Sequence, residues 1–375
     1  MELELEGDQE LFVETTRRFL EAECPLTKVR ELYDDPVGFD RDYWRKGAEL
    51  GWTAMLVPER LGGGSISGAG VLDLVLVAEE MGRLVSPGPL LPVNVVADTV
   101  ARSGSPDQQE AELGPLVAGV RIATWAFAEP EGRWDPSGVA LAATEVGDHW
   151  VLAGTKSYVQ DAEVADVVLV TARTGAGLTQ FLVPRDTPGI VVTPQQSLDM
   201  TRHFAAIEFT DVAVAASMVV GSVGDAAADV ERQLQVALTL QNAETVGAMN
   251  RVYEFTLDYA KDRVAFGRPI GSYQALKHRF ADMKMWLEAC NATAAASARA
   301  VQAEADTASE LVSIAKAYIG DRTPAMTQDC VQLHGGIGVT WEHDLHLYLR
   351  RVAQNAALYG SARDHRERLA TQLGV

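Results

Sequence analysis

The stretch QLHGGIGVTWEHDLHLYLRR, residues 332–351, carries three histidines (His334, His343, His346), a double glycine and a terminal arginine pair. His343 and His346 stand three apart, so a helix would set both imidazoles on one face, where they could ligate a metal. A zinc site needs further N, S or O ligands at fitting spacing, and Glu342 and Asp344 fall on the wrong side of that face. No metal is expected here, and the histidines read as surface or inter-helix hydrogen-bonding groups. Gly335 and Gly336, with Gly338, read as a place where backbone N–H groups come close to a ligand or another chain.

A second residue stands out by isolation. From Gln233 to Asn250 the sequence is QLQVALTLQNAETVGAMN, and Glu244 is its only charge. Its neighbours three and four along are Leu240, Gln241, Gly247 and Ala248, so no ion pair within the helix neutralises it. A lone carboxylate on a buried helix should bind its proton more tightly than usual, which makes it a candidate base. The competing reading is a glutamate that pairs across helices with an arginine or lysine. Lys277, His278 and Arg279 form a basic strip that reads as solvated or subunit-facing, with phosphates of a nucleotide as a second possibility. Trp44, Trp52 and Trp125 read as core, and ARDHRERLA near the C-terminus as an exposed helix face with charge pairs.

These residues need elements to hold them. Over residues 8–117 apolar positions recur at three and four, as in LFVETTRRFLEAE and VLDLVLVAEEMGRLV, which is the helical period. The joints are VPERLGGGSISG and SPGPLLP. Over residues 121–214 the pattern changes to short runs rich in Val, Ile, Thr and Phe: GVALAATEV, HWVLAGT, DVVLVTAR, TQFLVP, GIVVTP and FAAIEFTDVAV, divided by glycine turns. That predicts an antiparallel sheet. Helical periodicity then returns, entered through VGDAAADVE. Three domains follow: helices over 1–120, strands over 121–222, helices over 223–375. The order lacks βαβ alternation and so excludes a Rossmann sheet.

Composition bounds the partners. The 375 residues are 47% hydrophobic and 22% charged, enough for a large core, and the formal charge of −20 argues against nucleic acid and anionic membrane surfaces. No apolar run is long enough to span a bilayer, and the acidic start MELELEGDQELF lacks a secretory pattern. Cys24, Cys290 and Cys330 have no CxxC pairing, so neither a disulfide framework nor a cysteine zinc site is expected, and the cytoplasm is the expected compartment.

The segment DYAKDRVAFGRPIGSYQALKHRFADM, together with QLHGGIG and the earlier GWTAMLVPERLGG, resembles the acyl-CoA dehydrogenase family over nearly the whole chain. The full form GGIGVTWEHDLHLYLRR resembles the actinobacterial branch that degrades steroid and bulky acyl-CoA thioesters. The resemblance implies an α+β fold: an N-terminal helical domain, a middle β domain and a C-terminal four-helix bundle. It implies FAD as cofactor, an acyl-CoA substrate, electron-transfer flavoprotein or a similar acceptor, and a place in fatty acid or steroid β-oxidation. By resemblance, Arg263 of an R-x-x-F-G motif, with Phe266 and Gln274, reaches the FAD pyrophosphate of a neighbouring subunit, a role that suits the planar guanidinium fork. Gln332, Gly335 and Gly336 lie along the adenosine and pyrophosphate half in the same manner. Contacts from two chains imply an oligomer, of identical or unequal subunits.

Three departures accompany the match. The middle domain usually presents a threonine and a serine to flavin and substrate; here AEPEGRWD places Ala128 and Trp134 there. The usual flavin-contacting tryptophan is Tyr158, with Gln160 for a threonine. The glutamate that takes the α-proton while hydride leaves to the flavin is replaced at its two usual positions by Tyr359 and Ala237, leaving Glu244, two helical turns beyond Ala237 on the same face, as candidate base. Three readings follow: a dehydrogenase with Glu244 as base; a degenerate partner subunit that completes another chain's FAD site; or a non-enzymatic acyl-CoA or flavin-binding scaffold.

Overall fold

The computed structural model describes every residue except Glu2, Pro36 and Val375. The first layer comprises α1 (Gly7–Glu23), α2 (Leu26–Glu31), α3 (Arg41–Glu49), α4 (Gly70–Arg83), α5 (Leu90–Ser103) and α6 (Pro106–Val117). Local chemistry sets their starts. Asp40 accepts from the Asp42 and Tyr43 N–H groups to open α3, and Ser105 with Gln108 closes a capping box ahead of α6, with Pro106 in its first turn.

The sheet follows: β1 (Ala123–Ala126), β2 (Ala142–Val146), β3 (His149–Gln160), β4 (Val167–Thr174), β5 (Gly177–Pro184), β6 (Ile190–Gln195), β7 (Phe204–Ala215) and β8 (Val219–Val220). Spatial order is β6-β7-β3-β2-β4-β5-β8, with β1 also on β4. The six runs read from the sequence are β2 to β7. The sheet is mixed rather than purely antiparallel, because β1 pairs parallel with β4 in the register Ala123↔Val167 and β2 touches β4 in parallel at Ala142↔Arg173. β1 is four residues long and all of them are buried, as parallel pairing inside a covered sheet favours. Trp150, Leu152, Val168, Val170, Phe181, Ile207 and Phe209 fill a core of the sheet's own.

The last layer is α7 (Ala227–Asp262), a two-residue hairpin pair β9 (Val264–Ala265) and β10 (Arg268–Pro269), then α8 (Gln274–Gln302), α9 (Ala308–His334), α10 (Leu345–Ala357) and α11 (Ala362–Leu373). α7, α8, α9 and α10 pack on one another as the four-helix bundle, and α11 adds to α9. The bundle is keyed to the first layer through glycine. A Cβ at Gly82 of α4 would lie 2.0 Å from the Glu244 carbonyl oxygen, and one at Gly247 of α7 would lie 2.0 Å from that of Glu79. Only hydrogen at both positions lets the two backbones meet, and they meet at Glu244. Among the described residues no helix is long and apolar enough to cross a membrane.

Candidate active site

Glu244 is buried, 4% exposed, on the middle of α7. It is not lone. The Arg351 Nη1 donates to its Oε1 at 2.6 Å, Arg202 donates to the same oxygen, and Asn355 Nδ2 donates to Oε2 at 2.9 Å. Arg351, fully buried, also donates to Asp199 and Thr201. Two carboxylates thus face two guanidiniums, a neutral quartet that ties α7 to α10 and to the loop before β7. Burial pushes the Asp199 carboxyl up, but Arg351 and Arg202 outweigh it and hold the group below its ordinary value. The expectation of an unneutralised carboxylate is corrected by this arrangement. Its helix neighbours supply no partner, as the spacing indicated, yet arginines from two other segments do. Glu244 also borders a narrow gap with Ala78, Met81, Leu90 and Leu91.

Ala237 and Tyr359, which the resemblance sets at the usual base positions, are both buried. Burial pushes the Tyr359 phenol well above its ordinary value, so it stays protonated and is no base at neutral pH. Its backbone is left-handed, φ +61°, ahead of Gly360 at +99°. The turn is held from below: His365 Nε2 bonds the Tyr359 carbonyl at 2.9 Å, and the buried Lys316 ammonium donates to the carbonyls of Asn355 and Leu358 and to Gln241 Oε1. Burial lowers Lys316 to about 7 and His365 to about 4.

Tyr359 faces the middle domain across an aromatic cluster. Its ring stacks on Trp125 at 6.0 Å and meets Trp134 edge-on at 4.9 Å; Trp125 stacks on Phe127 at 5.4 Å, and Trp134 lies 6.0 Å from Tyr158. The space left among these rings, Ala128, Ser157 and Gln160 is about 10 Å³, room for one water at most. Outside the cluster a groove of about 820 Å³ opens between the loop at 131–137, α7 and α11, and Trp134 and Tyr359 form its inner wall. Glu131, Asp135, Asp364 and Glu367 border it against only Arg133 and Arg368. Both arginines are already held, Arg133 by Asp135 at 3.1 Å and Arg368 by Glu231.

Sequence reasoning passed over two residues beside this cluster. Lys156 is fully buried; its ammonium donates to Glu129 Oε1 at 2.8 Å and to the Phe127 carbonyl at 2.9 Å, pinning the segment of Ala128 onto β3. Burial lowers it to about 8, with Glu129 opposing the shift. Asp161, next to Gln160, is a second buried carboxyl, raised above its ordinary value by burial and bonded by Gln160 Nε2 at 2.9 Å. Lys156 lies on β3 beyond the run HWVLAGT, and Asp161 follows its last residue, so no pattern in the sequence marked either as buried.

The residues expected to serve another chain lie elsewhere, on the outside. Arg263 caps α7 just past its last residue, and Phe266 and Gly267, at φ +53° and +80°, turn the two-residue hairpin between β9 and β10. That turn needs two left-handed residues, which accounts for the glycine and projects Phe266 outward at 96% exposure. Arg263, Gln274, Gln332, Gly335 and Gly336 are all exposed. Among the described residues no hydrogen bond or ion pair engages the Arg263 guanidinium. A Cβ at Gly335 or Gly336 would meet nothing within 4 Å, so their open side faces away from this chain.

The histidines beside them pack among rings. His334 stacks on Tyr259 at 4.4 Å and bonds the Cys330 carbonyl at 2.8 Å, His343 accepts from the Leu345 N–H at 3.1 Å, and His346 stacks on Trp341 at 4.8 Å. Among the described residues no three His, Cys, Asp or Glu side chains converge to hold a metal ion.

Residues 6–120 match the acyl-CoA dehydrogenase N-terminal domain, 124–212 its middle domain and 215–374 its C-terminal domain. The chain belongs to the acyl-CoA dehydrogenase family. It is 31% identical over 369 residues to the acyl-CoA dehydrogenase IpdE2 of Mycolicibacterium smegmatis, covering 98% of this chain and 99% of that protein. The ChsE4-ChsE5 complex from Mycobacterium tuberculosis has a similar chain at TM-score 0.90, 29% identity and coverage of 100% and 99%. The Tcur3481-Tcur3483 steroid ACAD matches at TM-score 0.88, 27% identity and coverage of 98% and 97%. The protein is accordingly an acyl-CoA dehydrogenase or a subunit of one, a flavoprotein oxidoreductase acting on CH–CH groups, and its family's cofactor is FAD. FAD fits the two halves of this chain differently. The exposed Arg263 fork and open glycines suit a nucleotide brought by a neighbour, whereas the aromatic cluster leaves no room for a three-ring isoalloxazine.

Proposed function

We propose that this chain is one subunit of a heteromeric FAD-dependent dehydrogenase of bulky, steroid-derived acyl-CoA thioesters. It completes its neighbour's flavin site, and the unequal partner supplies the base. The observation that carries the reading is the double guanidinium on Glu244. A carboxylate engaged by Arg351, Arg202 and Asn355 must break those bonds before it can take an α-proton. The acid-rich groove adds support, since it offers no free cation to the phosphates of CoA. In this assembly Arg263, Gln274, Gln332, Gly335 and Gly336 hold the adenosine and pyrophosphate half of the neighbour's FAD. When bound, FAD supplies the acceptor for the β-hydride, and electrons pass on to electron-transfer flavoprotein or a similar carrier. The steroid class rests on the similarity to the steroid ACAD and to the branch motif around Trp341.

A second reading keeps Glu244 as base, because it borders the narrow gap between α4, α5 and α7 where an acyl chain could enter if the helices parted. One experiment separates the two. The chain is co-purified with an unequal acyl-CoA dehydrogenase subunit, and dye reduction by a polycyclic acyl-CoA is compared for wild type and Glu244→Gln, with circular dichroism confirming the fold. The proposal expects a rate within about twofold of wild type; a loss of about a hundredfold or more assigns the base to Glu244.

A further inference from the structure

The family's cofactor and the aromatic cluster of this chain compete for one place. We infer that Trp134 and Tyr359 form a plug that excludes the flavin ring from this chain's own half-site and so makes flavin sharing one-directional. The inference rests on the reading of a subunit that lends half a site. It goes further by naming what stops the chain from using that half itself.

The geometry supports a plug and not merely a lost contact. Losing a threonine and a serine hydroxyl would weaken a flavin site and leave its space open. Here the space is occupied: Trp134 meets Tyr359 at 4.9 Å, Tyr359 stacks on Trp125 at 6.0 Å, and about 10 Å³ remains behind them. Both plug residues border the outer groove as well as the inner space, so they stand as a wall between the two. The backbone that carries the tyrosine is fixed, because its left-handed turn is bonded by His365 at its own carbonyl and by Lys316 at Leu358 and Asn355, and the ring is packed between Trp125 and Trp134. Trp134 sits on a loop held by Arg133 to Asp135 and Ser137. The donated half, by contrast, is intact and exposed. Copies of this chain assembled as the family assembles would therefore join a sound nucleotide half to a plugged ring half.

The test compares two probes on the purified full chain, FAD and ADP, by equilibrium dialysis and flavin fluorescence. ADP reports the nucleotide half alone. In wild type the ring should add nothing, so FAD and ADP bind with similar affinity. Trp134→Ser and Tyr359→Ala, made separately, should each leave ADP binding unchanged and tighten FAD by on the order of tenfold to a hundredfold, the worth of stacking a planar ring. Trp134→Phe, which keeps a ring in place, should show no gain. The inference is overturned if wild type already binds FAD tenfold or more tighter than ADP, or if neither opened variant gains while both keep the wild-type circular dichroism. Failure of the parent reading looks different: a co-purified complex whose activity depends on Glu244, whatever the opened variants do.

Discussion

Lys316 gives the sharpest quantitative consequence of the packing around Tyr359. Its ammonium is buried, 2% exposed, and bonded to three neutral acceptors, Gln241, Asn355 and Leu358. Burial lowers its pKa from 10.5 to about 7. The unfolded chain therefore holds this proton more tightly than the folded one, and stability rises with pH across the interval from about 7 to 10.5. Over that whole interval the gain is about 5 kcal/mol at 1.36 kcal/mol per unit, of which about 2 kcal/mol falls between pH 6 and pH 8.5. Lys316→Met keeps the volume of the side chain and removes the titration. It also leaves three acceptors short of a donor, at about 1–3 kcal/mol for each that finds no water. Urea unfolding of both proteins at pH 6, 7 and 8.5, with m checked for constancy, isolates Lys316, because groups common to both cancel in the difference. The wild type should gain about 2 kcal/mol on the variant from the lowest to the highest pH. Parallel stability curves would refute the assignment of a neutral amine to the folded state above pH 7.

Three further consequences concern the quartet, the helix contact and the donated half-site. Arg351→Met strands Glu244 and Asp199 with one guanidinium and should cost about 3–5 kcal/mol in urea unfolding at neutral pH. Gly82→Ala should cost about 1–3 kcal/mol, because the new methyl meets the Glu244 carbonyl oxygen of a helix that cannot retreat alone; thermal unfolding reads it. Arg263→Ala should weaken FAD in the heteromeric complex by about tenfold to a hundredfold with no change in the unfolding midpoint, and Arg263→Lys should recover only part of it for want of the planar fork.

The sequence revealed much of this through local pattern and missed what depends on distant segments. The strands β2 to β7 declare themselves as runs rich in Val, Ile, Thr and Phe divided by glycine turns, whereas the hairpin at Phe266 and Gly267 was not foreseen. β1, ATWA, is hidden because four residues are too few to form such a run. The isolation of Glu244 within its helix was legible, but its partners were not: Arg351 is 107 residues away and Arg202 is 42, and periodicity says nothing about pairing at such separations. The arginine was in plain sight at the end of QLHGGIGVTWEHDLHLYLRR. Trp134 was visible as a missing hydroxyl. That it fills space was not, since the volume it occupies is shared with Trp125 of β1, Tyr158 of β3 and Tyr359 before α11. Lys156 and Glu129 illustrate the same limit at shorter range, 27 residues apart with no pattern linking them.

Under the proposed function this chain lends half a flavin site and does not own a whole one. Flavin counted per chain by absorbance after denaturation tests it most directly, on the chain purified alone and on its complex with an unequal dehydrogenase subunit. Little flavin is expected alone, and about one FAD per two chains in the complex. One FAD per chain in the protein purified alone would contradict it.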